Sequence, residues 1–418
     1  MKSFTTVSLV LLQAAAVYSL PTELERRQGA LGGLMALALG KPMEPVSREK
    51  LEPQMDSTAT RERLIFGPYR MLSSKAPSHP SKGLTGGIKL DPNSDTQSAM
   101  LAGICTECMI LTANMETSDK TGKKVGITEG IYTHHFITMD MGRNQVPNPV
   151  KSPCAPKPGS LGMGGMMGNS DAHSHGRRQL PNFMFGAGVS VFVGKGNEAG
   201  RSIFASTNST VKSGFYVSGK DKMFMTAELV NYEPEDRDIY VMLDYEYLSS
   251  PDGKRPADWM DVGMGAIAVD GCMVTALEPP KDKAMLYKSP EWDVTHNGYL
   301  VNITPHLHDG ALDINVYLNG NKVCTSNAIY GGDREVKGDA APIQEKWETI
   351  QSYSPCSEAI KIKKGDKLSM DSTYDVTKHK LRPDAHAMGS GGGAGEGAEG
   401  MALATFQWAI SPDQSDKF

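Results

Sequence analysis

Long helical periodicity is hard to find in this chain. In its place stand short runs in which apolar and polar residues alternate, cut by glycine and proline. Gly130–Met139 (GIYTHHFITM), Val189–Val193, Met223–Val230 and Ile239–Tyr247 form a first set. Gly298–Ile303, Leu312–Leu318, Ala359–Lys363 and Ala402–Trp408 form a second. Strand side chains alternate between two faces, so this pattern specifies half-buried strands. Asn319-Gly320, closing one run, is a hairpin signal. Many short strands with turn punctuation predict an all-β fold, here two consecutive jelly-roll (β-sandwich) domains. We place the first at 86–255 and the second at 256–418, with the break where Ser249–Pro256 (SSPDGKRP) interrupts the strands. Residues 21–85 are rich in Pro, Ser and charge and read as a pro-region or extended arm. Residues 161–176 and 388–400 are too glycine-rich to pack and read as loops.

The N-terminus sets an expectation about compartment. Lys2, the apolar run Val7–Val17 and small residues at Ala14, Ala15, Ala16 and Ser19 make residues 1–20 a secretory signal peptide. Arg26-Arg27 offers a dibasic processing site. No later run reaches the roughly 20 apolar residues that a membrane span needs. The mature protein is therefore expected to be soluble, secreted and extracellular. Six cysteines suit an oxidising compartment. Asn208-Ser-Thr210 and Asn302-Ile-Thr304 are glycosylation sequons. Lys plus Arg number 43 against 48 Asp plus Glu, so no basic excess exists to hold nucleic acid. Serine-hydrolase, zincin and nucleotide-binding motifs are missing as well.

Histidine and methionine carry what chemistry is legible. His306-Leu-His308, at or just beyond a strand end, places two imidazoles on one face, as a metal site requires. Adjacent His134-His135 do so only if the strand bulges or ends. Asp309 is read either as an acceptor that orients an imidazole or as a turn cap. Met163, Met166, Met167, His173 and His175 crowd the first glycine-rich loop with soft and imidazole donors.

The order of these features resembles the type II copper monooxygenases, the peptidylglycine α-hydroxylating and dopamine β-monooxygenase family. Thr133-His134-His135-Phe136 stands where that family has its HH pair, His306-Leu-His308 where it has HxH, and Ala398–Leu403 (AEGMAL) where it has its ligand methionine. The resemblance covers about residues 90–412. A closer likeness is to the stress-up-regulated nodulin-like branch, through His306 to Ser326 and from Cys356 onward. The resemblance implies copper (Cu) held by His306, His308 and Met401, with a second position at His134, His135 and Asn231. Asn231 stands where the monooxygenases have a third histidine. Thr304 and Thr405 stand where the peptide-hydroxylating branch has an Arg and a Tyr, so a peptide carboxylate has no guanidinium to meet.

The function so implied is copper-dependent C–H hydroxylation, or a related oxidation, of a small molecule or peptide by O2 with a reductant such as ascorbate. The alternative is a non-catalytic copper-binding or extracellular interaction protein on the same scaffold. The preferred disulfides are Cys324–Cys356, and Cys154 with Cys105 or Cys108.

Overall fold

A computed structural model describes residues 41–79, 94–141, 149–151, 153, 189–206, 211–250, 254–270, 277–335, 346–356, 358–382 and 400–410. Within them the chain is all-β, with one 3-10 turn at Ile127–Glu129. The predicted strands are present, among them Ile131–Met141, Val189–Lys195, Met223–Asn231, Arg237–Ser249, Gly298–Leu307, Ala311–Leu318 and Ala402–Ile410. Asn319 and Gly320 take positive φ of 51° and 78° between paired strands, as a two-residue hairpin requires.

Three sheets carry the architecture. A ten-stranded sheet runs through the molecule, a four-stranded sheet covers part of it, and a seven-stranded sheet covers another part. The four-stranded sheet has Met223–Asn231 between Asp95–Leu101 and Ile131–Met141, with Val189–Lys195 outermost. Its inward residues Phe136, Met225 and Leu229 bury against Leu64, Phe66, Ile110 and Leu243 of the long sheet. A second core joins Leu300, Ile303, Leu307 and Phe406 of the long sheet to Ile314, Val316, Leu368 and Met370 of the seven-stranded one. The strands Ser213–Val217 and Met260–Ala268 pair in parallel and make the long sheet continuous between the two cores. Each buried aliphatic side chain in these cores contributes about 1.5–3 kcal/mol of transfer free energy.

The segment read as an arm differs in part from that reading. Ser47–Leu51 and Thr60–Met71 are strands of the long sheet, and Thr60–Met71 pairs with Arg237–Ser249. Its alternation puts Leu64 and Phe66 in the core, while Arg61 reaches out to both carboxylate oxygens of Asp244 at 2.9 and 2.8 Å. The charged residues that made it look solvated are its ion-paired face.

Two disulfides lie among the described residues, Cys324–Cys356 as expected and Cys105–Cys108. The second overturns the pairing of Cys154 with either residue. Glu107, with φ 53°, turns the chain back between the two sulfurs. Cys154 and Cys272 lie outside the described residues, as do the signal segment, Arg26-Arg27, Asn208 and the Met/His-rich loop. The Asn302 sequon is closed to a glycan: its side chain is buried and donates to Gln407 Oε1 at 3.1 Å and Thr304 Oγ1 at 3.0 Å.

Candidate metal centre

The strands carrying the two histidine pairs belong to different sheets, and they aim their imidazoles at each other. In Ile131–Met141 the pairing with Met223–Asn231 slips by one residue. His135 opposes Glu228 and Thr133 opposes Leu229, so His134 is the extra residue of a β-bulge. A bulge breaks the strict alternation of faces. Both rings consequently meet one carboxylate: Glu228 Oε2 lies 3.3 Å from His134 Nδ1 and 3.5 Å from His135 Nδ1. The two ring centres are 4.1 Å apart.

The other pair needs no bulge. His306 lies in the strand Gly298–Leu307 and His308 just past its end. Leu307 turns into the second core, and the flanking rings stand 5.6 Å apart. The strand end is tied down between the two histidines and just after them. The Leu307 amide donates to Tyr353 Oη at 3.0 Å, and that hydroxyl donates to the Leu307 carbonyl at 3.3 Å. Asp309 Oδ1 accepts from the Ile350 amide at 3.0 Å and the Thr349 hydroxyl at 3.1 Å. That oxygen anchors the loop to the strand Lys346–Tyr353.

Across the junction, His134 and His308 rings are 5.6 Å apart, His135 and His306 5.3 Å, and His135 and His308 6.2 Å. Candidate ligand atoms of His134, His135 and His308 all lie within 4.8 Å of one another, and all three residues are buried. A small cleft above them is lined by Tyr132, His134, Glu198, His306, His308 and Asp309. Glu198 follows the edge strand Val189–Lys195; its Oε1 accepts the Gly196 amide at 2.9 Å and lies 3.5 Å from His306 Nδ1. A Cβ at Gly196 would lie 2.7 Å from Glu198 Oε2, 3.1 Å from His306 Cε1 and 3.2 Å from the His134 carbonyl oxygen.

The electrostatics suit a cation. Burial, and then the neighbouring His134, push the His135 imidazole down to about 4, so it is neutral at physiological pH. Burial alone would raise the Glu228 carboxyl, but the adjoining imidazoles of His134 and His135 outweigh it and hold it well below its ordinary value. Glu198 is lowered in the same way: burial opposes, while His306, the Gly196 amide and Lys195 prevail. His306 Nε2 is buried without a hydrogen bond, and the buried Nδ1 atoms of His306 and His135 have only a carboxylate oxygen at 3.5 Å, too long for a good one. Such groups are costly unless something else satisfies them. Imidazoles backed by carboxylates are a donor set that copper takes. The residues fit the metal.

The remaining sequence candidates fall as follows. Met401 stands beside His308 on the neighbouring chain segment: the His308 amide donates to its carbonyl at 3.2 Å, and Met401 belongs to the second core. The Asn231 amide serves a turn. Its Nδ2 donates to the Leu72 and Glu235 carbonyls at 3.0 and 2.8 Å, and its Oδ1 accepts the Glu233 amide at 3.1 Å. Thr405 Oγ1 donates to the Thr304 carbonyl at 2.7 Å, so the two departures from the peptide-hydroxylating pattern bond to each other. Sequence reasoning missed Glu228 and Glu198. The available signal was an acid inside the otherwise apolar strand MFMTAELV, a pattern that also fits a solvated face.

Residues 266–384 match the family described as Stress up-regulated Nod 19. The chain is 22% identical over 280 residues to a "Probable copper-dependent oxygenase M1" of Phoma sp. (strain ATCC 20986 / MF5453), covering 66% of this chain and 59% of that protein. It is 23% identical over 192 residues to a "Probable copper-dependent oxygenase clz3" of Cochliobolus lunatus, covering 45% of this chain and 57% of that one. The chain thus spans somewhat under two thirds of the length of these curated relatives. A solved structure of PNGF-II aligns with 85% of this chain and 65% of its own at 10% identity, with a TM-score of 0.32, and carries no argument here. The family match and the two relatives bear out the resemblance to the stress-up-regulated nodulin-like, copper-oxygenase-like branch.

Proposed function

We propose that this chain is a secreted copper-dependent oxygenase that oxidises a small molecule, by C–H hydroxylation or a related reaction, with O2 and a reductant such as ascorbate. The observation that carries the reading is the buried meeting of His134, His135 and His308, with His306 beside them, under a cleft. Those imidazoles would hold the copper, and Met401 joins His308 through the backbone while its side chain belongs to the second core. Bound copper supplies one-electron chemistry with dioxygen. The protein's own part is to bind and position. Leu307 anchors the HxH strand in the core, and the hydroxyl of Tyr353 and the carboxylate of Asp309 fix its end. Burial keeps His135 unprotonated and able to donate. The cleft is small, and Thr304 and Thr405 offer no cation to a peptide carboxylate, which favours a small uncharged substrate over a peptide. Secretion is supported by the signal pattern of residues 1–20 and by the disulfides. Among the described residues no helix is long and apolar enough to cross a membrane.

The test is copper analysis of the purified mature protein together with oxygen uptake in the presence of ascorbate. Copper-dependent, reductant-dependent uptake supports the oxygenase. Bound copper without uptake favours the binding protein instead.

A further inference from the structure

The resemblance implies two copper positions, one for each histidine pair. We infer that this chain instead builds one metal centre from both pairs, with Glu228 and Glu198 as the residues that orient its imidazoles. The inference rests on the copper reading above, and goes beyond it in the number of ions and in the role of the two carboxylates.

The spacing of the rings carries the first half. With metal–nitrogen bonds of about 2 Å, imidazoles around one ion have ring centres about 4–6 Å apart. Five of the six ring pairs among the four histidines run from 4.1 Å for His134–His135 to 6.2 Å for His135–His308. The cross-sheet distances of 5.3, 5.6 and 6.2 Å bracket the 5.6 Å within the HxH pair. Two ions, one per pair, would have two imidazoles apiece, fewer than the three protein ligands usual at a catalytic metal site. The third donor that the first position would need is committed elsewhere, because the Asn231 amide is bound at both ends.

The second half lies behind the rings. Glu228 faces Nδ1 of both His134 and His135, and Glu198 faces Nδ1 of His306. A carboxylate at Nδ1 favours the tautomer with its proton there and leaves Nε2 as the lone-pair donor. Glu198 is itself fixed by the Gly196 amide. Glu228 is fixed by its place in the ladder opposite His135. Two buried carboxylates also lower the cost of bringing a divalent ion into the site.

The experiment uses the full mature chain, stripped of metal and titrated with Cu(II). Bound copper is counted after desalting, and the Cu(II) electron paramagnetic resonance spectrum is recorded. One copper per chain is expected. It should be lost in His134→Ala/His135→Ala and equally in His306→Ala/His308→Ala. If a double variant does not fold, His308→Gln and His135→Gln singly read the same loss. Glu228→Gln and Glu198→Gln should still bind one copper, about 10–100-fold more weakly, with a changed spectrum. Metal-free melting of the two glutamine variants checks that a folding defect is not the cause. Two coppers per chain, with each double variant keeping one, overturns the single centre. Wild-type affinity and spectrum in both glutamine variants overturns the orienting role. No copper bound by the wild type at all would instead sink the copper reading on which both depend.

Discussion

The two histidine strands reach one result by different backbone devices. Gly298–Leu307 follows the rule of strand geometry: residues two apart share a face, so His306 and His308 point together while Leu307 enters the core. Ile131–Met141 breaks that rule at His134, where a bulge lets adjacent residues share Glu228. The first device is written in one strand. The second exists only in the pairing of two strands, and no inspection of His134-His135 alone reveals it. Motif spacing is thus a dependable guide where a side-chain period does the aiming, and a poor one where register does.

The comparison breaks hardest at the bulge. Deleting His134 leaves Thr133 opposite Leu229 and His135 opposite Glu228, so the ladder closes without a bulge. Copper affinity should fall more than about 100-fold while the fold survives, because one ligand goes and the pairing stays. Circular dichroism with copper titration checks both halves. A deletion variant that binds copper normally would show that the bulge is irrelevant to the site.

Acid should act on the site through His135. His135 is held at about 4 against an ordinary value of 6.5, so the unfolded chain takes up the proton first as pH falls. Its contribution to the stability of metal-free protein is therefore full above pH 6.5 and is lost progressively as pH drops toward 4. The whole span is on the order of 3 kcal/mol. Denaturant unfolding at several pH values measures it. In His135→Gln that part of the pH dependence should vanish.

Contact between the halves is tested at Gly196, whose absent Cβ leaves room for Glu198, His306 and the His134 carbonyl. Gly196→Ala forces a shift on both histidine strands at once. We expect a loss of about 1–3 kcal/mol in stability, with weaker copper binding, read by chemical denaturation and metal titration. The smallest effect belongs to the regular strand. Tyr353→Phe removes the hydroxyl that bridges the Leu307 amide and carbonyl, at a cost of about 1 kcal/mol. Copper affinity should change only a few-fold, since period 2 still aims the HxH rings.

What the sequence disclosed divides along the same line. The strands, the Asn319-Gly320 hairpin, the HxH pair and the Cys324–Cys356 bond are local patterns or nearly so, and each was legible. Thr60–Met71 was not, because its arginines look solvated until Asp244 is placed opposite Arg61. Glu228 and Glu198 were not, because an acid within a strand or a glycine-rich turn has no signature of burial. The meeting of His134 with His308 was furthest from reach. It depends on how two sheets pack, and 174 positions of chain separate the residues.

Copper-edge anomalous diffraction from crystals of the loaded protein tests the central claim most directly. One peak per chain is expected, flanked by imidazoles of His134 and His135 from one sheet and of His306 and His308 from the other. Two separate peaks, one at each histidine pair, would contradict it.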